Sequence, residues 1–233
     1  MPARAAFIKT SLVDFPGRVA SVLFLPGCDF RCPYCHNAAL VSGGAADGEL
    51  RPIEEFYEHL DRRAGVLSGA VVSGGEPLLY EDAPEIAAEI RRRGLAVKLD
   101  TNGSFPDRVE AFGANYVALD LKTAPSAYGR VAPGLPDAAE RVLETLRLLR
   151  RLSSKGALEF EIRITCAPGV VGPGEIEVLA SVLEPGDLVY LQTFRPGGCL
   201  DPAWDGVEPH SGAVMAGFLE SVSRRAPRAR IRG

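Results

Sequence analysis

Residues 69–77 read Gly69-Ala70-Val71-Val72-Ser73-Gly74-Gly75-Glu76-Pro77, an apolar β-type run that stops on a serine and a glycine pair. A helical period follows over residues 82–93, with Ile86, Ala87 and Ile90 on one face and Gly94 closing it. The same unit recurs along the chain. Upstream lies the apolar run Val19–Leu25. Downstream, Leu95–Leu99 ends at Asp100-Thr101-Asn102-Gly103, and a short helix over 106–112 leads to a strand over 116–121. Residues 137–152 align Ala138, Val142, Leu146 and Leu149, with Leu143 and Leu152 widening the stripe of an amphipathic helix. Strand-like 158–166, a helix over 174–183, a strand over 188–194 and a helix over 211–224 complete the series.

This alternation predicts βαβ units and a mostly parallel sheet. Its core strands fall near 19–25, 69–73, 95–100, 116–121, 158–165 and 188–194. An open doubly wound sheet and an incomplete barrel both satisfy that pattern. Polar and glycine signals stand at the C-terminal end of one strand after another, ending with Asp120-Leu121-Lys122, Arg163 and Arg195. A barrel assembles its active site from many such strand ends, whereas an open sheet uses only those at its switch point. The expectation is therefore an α/β fold with a partial (β/α)6 TIM-type barrel. A short N-terminal strand or hairpin is expected within the first 18 residues, turning at Phe15-Pro16-Gly17, and residues 228–233 suit an edge strand. Without repeats or long linkers, residues 1–233 read as a single domain.

Composition narrows the function. Net charge is -4, which gives no electrostatic case for nucleic acid, and Arg91-Arg92-Arg93 reads as the solvated end of a helix. No apolar stretch reaches the roughly 20 residues that span a bilayer. Lys9 and Asp14 interrupt any signal-peptide core, so a cytoplasmic location is expected. Five cysteines, three of them in one loop, argue against a disulfide framework.

That loop holds Cys28, Cys32 and Cys35, spaced Cys-x3-Cys-x2-Cys just after the first core strand. Iron–sulfur clusters are commonly held by four cysteines. Three would leave one iron of a [4Fe–4S] cluster open, and an open position separates catalytic from structural metal sites. His36 would complete a Cys3His zinc set, but adjacent ligands rarely fit one tetrahedron, so His36 reads as a supporting residue. A zinc-binding interaction module remains the rival from another class. It leaves Gly74-Gly75-Glu76 and the Asp100/Asp120 pair without a purpose. His59 and His210 read as surface positions. Cys166 reads as a buried small hydrophobe, and Cys199 as a loop cysteine placed by chance.

The cysteine motif with Tyr34 before its third cysteine, and the Gly74-Gly75-Glu76-Pro77 strand end, resemble the radical S-adenosylmethionine superfamily. The opening Lys9-Thr10-Ser11-Leu12-Val13-Asp14-Phe15-Pro16-Gly17, the block Cys32-Pro33-Tyr34-Cys35-His36-Asn37, Asp100-Thr101-Asn102-Gly103 and Asp120-Leu121-Lys122 resemble the glycyl-radical-enzyme activases. The resemblance is greatest to the activating proteins of anaerobic ribonucleoside-triphosphate reductase, and it extends from residue 7 to about 202. It implies that Cys28, Cys32 and Cys35 ligate a [4Fe–4S] cluster whose open iron is chelated by S-adenosylmethionine. One-electron cleavage would then give a 5′-deoxyadenosyl radical that takes hydrogen from a glycine in the C-terminal loop of the partner.

By the same resemblance Gly74, Gly75 and Glu76 would meet the methionyl ammonium, Glu76 adding charge or bracing the loop, and Tyr34 would lie near the adenine. Asn102 is counted with the cofactor contacts, and Lys122 and Arg163 would meet the cofactor carboxylate or ribose. Asp100, Thr101 and Asp120, with the backbone near Ala118, would hold a monovalent cation. Without that cation, Asp120 would pair with Lys122 and Asp100 would cap a turn. A flavodoxin- or ferredoxin-type electron donor is implied. Pyruvate formate-lyase activases carry a Pro-Tyr-His segment late in the chain, where this sequence reads Gln192-Thr193-Phe194-Arg195-Pro196. That difference favours the reductase activases and places Arg195 on the substrate side. An activase of the pyruvate formate-lyase type, or a relative acting on a small molecule, is the alternative.

Overall fold

The strands form where apolar residues alternate between two different neighbourhoods, one packed by helices and one facing inward. The computed structural model describes residues 3–41 and 50–233. In chain order the elements are β1 (Arg4–Ser11), β2 (Ala20–Leu25), α1 (Ala38–Val41), β3 (Arg51–Pro52), α2 (Ile53–Arg62), β4 (Gly69–Gly74) and α3 (Ala83–Arg92). Then come β5 (Ala96–Thr101), α4 (Pro106–Phe112), β6 (Tyr116–Asp120), α5 (Ala138–Ser154) and β7 (Glu159–Cys166). The chain closes with α6 (Pro173–Val182), β8 (Val189–Thr193), α7 (Gly212–Ser223) and β9 (Arg230–Arg232).

The sheet order is β3-β1-β2-β4-β5-β6-β7-β8-β9. From β2 to β9 every neighbour is parallel. The six expected core strands are thus contiguous, as a partial (β/α)6 barrel requires. β1 runs antiparallel to β2, with Arg18 N–H donating to the Phe15 carbonyl across the expected turn. Residues 1 and 2 of that expected N-terminal segment lie outside the described residues. β9 supplies the expected C-terminal edge.

Two residue sets follow the period of two in the strands. Leu23, Val72, Leu99, Val117, Ile162 and Leu191 join the large core shared with the helices. Their alternates Val22, Val71 and Tyr116 form a smaller cluster with Phe15 and Ala20 on the inner face. Lys98, Asp100, Asp120 and Arg163 share that inner face, because their register partners are Val71, Tyr116, Ala118 and one another. Helix α5 buries Val142, Leu146 and Leu149 against the outer side, each worth about 1.5–3 kcal/mol of apolar burial.

Helix α2 goes beyond the expected elements, although Ile53, Phe56 and Leu60 carry its spacing and are buried. His59 belongs to the same face. It is buried, not superficial as expected, and its Nε2 lies 2.8 Å from the Lys9 carbonyl. His210 is partly buried, 2.9 Å from the Val171 carbonyl. The arginine triplet ends α3 as expected, with Arg91 and Arg92 exposed and Arg93 half-buried. Arg91 ties the helix to the Gly113 carbonyl at 2.6 Å, and Arg93 pairs with Glu89 and Asp61.

Candidate active site

The cysteine loop is clamped by backbone bonds from distant segments. Arg31 N–H donates to Val131 O at 2.7 Å, Leu200 N–H to Cys35 O at 2.9 Å, and Asp201 N–H to Pro33 O at 3.0 Å. Beside it the end of β4 presses against the end of β2, with Gly75 N–H on Leu25 O and Glu76 N–H on Gly27 O, both at 2.9 Å. Only glycine fits there. A Cβ on Gly75 would stand 1.8 Å from Gly27 O, and Gly74 has φ +120° with a Cβ position 2.3 Å from Leu25 O. The Gly74 carbonyl accepts from the Asn37 amide at 2.8 Å.

Of the two roles expected for Glu76, the geometry favours bracing. Its side chain is fully buried. It accepts from Leu78 N–H at 3.0 Å, the Thr101 hydroxyl at 2.9 Å and Asn102 N–H at 2.7 Å. Burial pushes its carboxyl up to about 8 against those hydrogen bonds. Thr101 is therefore turned toward Glu76. Asn102 donates to Asp29 Oδ1 at 2.8 Å and approaches Cys28 Sγ at 3.8 Å. Burial also raises the thiols, Cys28 to about 12 and Cys32 to about 11, so they need a metal to persist as thiolates.

The expected repulsion between Asp100 and Asp120 is resolved by protein cations. Arg163 bridges them, with Nε 2.7 Å from Asp120 Oδ1 and a terminal nitrogen 3.1 Å from Asp100 Oδ2. Lys122 Nζ reaches Asp120 Oδ2 at 2.8 Å, and Lys98 Nζ pairs with Asp100 Oδ1. Burial raises both carboxyls, but Arg163 with Lys122, and Arg163 with Lys98, outweigh it and hold Asp120 and Asp100 below the ordinary aspartate range. Lys122 loses by burial and gains more from Asp120, so it stays charged. Three positive and two negative side chains share this cluster, leaving one positive charge for an anion. Lys98 is the residue that sequence reasoning missed; a lysine two places before Asp100 in an apolar strand was the available signal.

These groups open onto one cavity of about 480 Å³ at the C-terminal ends of the strands. All three cysteines line it, as do Tyr34, the Gly74–Gly75 backbone, Asp100, Thr101, Asn102, Asp120, Lys122 and Arg163. Ser73, part of the strand end expected there, lines it as well, as do Asn37, Asp14 and Gln192, to which the sequence assigned no role. Glu76 lies outside the lining, and so does the exposed Arg195, whose carbonyl accepts from His36 Nε2 at 2.6 Å. His36 itself stacks on Phe194. Cys166 and Cys199 are both buried.

The donors suit an iron–sulfur cluster with a polar ligand beside it. Among the described residues no three His, Cys, Asp or Glu side chains converge to hold a single metal ion. A cubane asks for something else, since each thiolate binds its own iron. The Tyr34 hydroxyl is buried without a hydrogen-bond partner among the described residues, in a residue that lines the cavity. A bound molecule with a polar edge would satisfy it.

Fold, cysteine loop and cavity define a radical-type iron–sulfur enzyme, and comparison with known proteins agrees. The radical SAM superfamily model matches residues 22–178, and the chain belongs to that superfamily of enzymes. A [4Fe–4S] cluster and S-adenosylmethionine are the cofactors of the family. A Methanocaldococcus jannaschii protein named as a glycyl-radical enzyme activating enzyme is 32% identical over 202 residues, covering 84% of this chain and 82% of its own. The pyruvate formate-lyase-activating enzyme of Clostridium pasteurianum is 37% identical over 122 residues, 48% of each chain. The crystal structure of QueE from Escherichia coli shares the fold at TM-score 0.56 and 17% identity, covering 99% of this chain and 93% of that one. Among the described residues no helix is long and apolar enough to cross a membrane.

Proposed function

We propose that this chain is an activating enzyme that removes a hydrogen atom from a backbone glycine of a partner protein, and that the partner is anaerobic ribonucleoside-triphosphate reductase. One observation carries the reading. Three thiols, a glycine turn and a charge cluster with a surplus positive charge converge on one cavity. When bound, the cluster and S-adenosylmethionine supply one-electron cleavage to methionine and a 5′-deoxyadenosyl radical, the hydrogen-abstracting species.

The chain's own residues hold, align and exclude water. Cys28, Cys32 and Cys35 would ligate three irons. The Gly74–Gly75 backbone would meet the ammonium of the ligand, with Glu76 bracing it from behind. Lys122 and Arg163 would meet its carboxylate. Tyr34, packed against Phe194 and Trp204, would lie near the adenine. The sheet ends at β3 and β9 without closing, which leaves an edge for a glycine loop to enter. Arg195, exposed next to His36, would face that loop. A flavodoxin or ferredoxin in the cytoplasm would supply the electron.

The choice of partner rests on the segment Gln192-Thr193-Phe194-Arg195-Pro196, read in place of the late Pro-Tyr-His segment of pyruvate formate-lyase activases. A second reading, activation of pyruvate formate-lyase, is favoured by the names of shorter-matching relatives. Both can be tested together by mixing reduced, reconstituted protein and S-adenosylmethionine anaerobically with each partner and recording EPR. A glycyl radical in the reductase is expected; a radical confined to the lyase would reject the partner. 5′-Deoxyadenosine formation that survives Cys32→Ala would reject the cluster ligands.

A further inference from the structure

The rim carboxylates carry no oxygen that lacks a protein partner. Asp100 Oδ1 is taken by Lys98 Nζ, and Oδ2 by Arg163 at 3.1 Å and the Ser73 hydroxyl at 3.3 Å. Asp120 Oδ1 is taken by Arg163 at 2.7 Å, and Oδ2 by Lys122 at 2.8 Å. The Thr101 hydroxyl is committed to Glu76. A hard monovalent cation would have to displace a guanidinium or an ammonium to bind here.

The three protein cations are not equivalent. Arg163 and Lys122 line the cavity; Lys98 does not, and it is 2% exposed. It rises from within β5, between the register partners Val71 and Tyr116, and meets Asp100 on the side away from the cavity lining. An ammonium buried so completely is costly unless paired. Asp100 is the partner that the described residues give it.

We propose that Lys98 is a built-in counter-ion that takes the place of a bound monovalent cation. It is a positioning residue: by neutralising Asp100 from beneath, it leaves Arg163 and Lys122 able to hold an anionic ligand group. Binding of S-adenosylmethionine by this chain therefore needs neither Na⁺ nor K⁺. The inference rests on the cavity being the S-adenosylmethionine site.

The test is anaerobic equilibrium dialysis of the reconstituted protein with S-adenosylmethionine in KCl, NaCl or choline chloride at equal ionic strength. Wild-type affinity should vary by less than about twofold among the salts. Lys98→Met should bind about tenfold or more weakly in choline chloride, as expected when a buried charge loses its partner, and recover in KCl or NaCl. Melting of the cluster-free protein gives a reading independent of the cofactor: K⁺ should raise the melting temperature of Lys98→Met and leave wild type unmoved. The double variant Lys98→Met/Asp100→Asn should lose the cation response. Should Lys98→Met not fold, Lys98→Gln keeps a donor for Asp100 without the charge and should show the same cation rescue. Wild-type binding that collapses in choline chloride, or a Lys98 variant indifferent to the cation, overturns the proposal. Absence of S-adenosylmethionine binding in every salt would remove the cofactor reading of the cavity, while the melting comparison would still judge Lys98.

Discussion

Two polar assemblies share the inner face of the sheet, one at the strand ends and one beneath it. At the rim, Lys98, Arg163 and Lys122 face Asp100 and Asp120. Deeper, Glu161 is 1% exposed and accepts from the Tyr116 hydroxyl at 2.9 Å and from both terminal nitrogens of Arg232 at 3.1 and 3.3 Å. The Arg232 guanidinium also covers the Tyr190 ring at 3.5 Å. The deeper set balances one charge with one, and its Arg232–Glu161 pair fastens β9 to the sheet. The rim set carries a surplus positive charge and faces the cavity. Strands with the same alternation thus offer a surplus charge at one level and an anchor for the edge strand at the next, and charge balance tells the two apart.

The largest effect should come from Arg163→Met. It strips the shared cation from two largely covered carboxylates, 14% and 19% exposed, a loss of about 3–5 kcal/mol. Urea unfolding should report it, and S-adenosylmethionine affinity should fall with it. Unaltered stability and binding would mean that Arg163 does not hold the rim together. Arg232→Met should cost less, about 1–3 kcal/mol, because the arginine is 39% exposed and Tyr116 still serves Glu161. Its S-adenosylmethionine affinity should match wild type; a fall there would erase the distinction between the two assemblies.

The effect that is smallest per pH unit concerns the brace under the rim. Glu76 holds its proton up to about 8 in the folded chain, against an ordinary 4.5 when unfolded. Between those values the folded state binds the extra proton, so stability should decline as pH rises through that window, by at most about 1.4 kcal/mol per pH unit for one group. Melting temperatures of Glu76→Gln should lack this slope. A wild-type profile parallel to the variant would show that the Glu76 carboxylate is already ionised at low pH.

Much of this was legible in the chain. Six core strands and five of the helices follow from short apolar runs and helical periods, and Gly74-Gly75 announced a place where backbones meet. The three cysteines and the C-terminal strand ends located the cavity. His59 was misjudged because a lone histidine on a helix carries no sign of the Lys9 carbonyl, fifty residues away, that receives it. The resemblance places Thr101 in a cation shell; that its hydroxyl donates to the buried Glu76, 25 residues away, has no local signature. The deeper Glu161–Arg232 pair joins residues 71 positions apart and has no local signature.

The amino-acid order alone determined the partial barrel, the cysteine loop and the glycine pair, because periodic burial and a missing Cβ are legible within a few residues; that Leu25 and Gly27 are what crowds those glycines came from β2 lying beside β4. Which charges neutralise which was decided only by the assembled sheet. Coulomb pairing depends on register, and it is the alignment of Asp120 with Arg163 across β6 and β7 that turned two opposed aspartates into one cationic cradle.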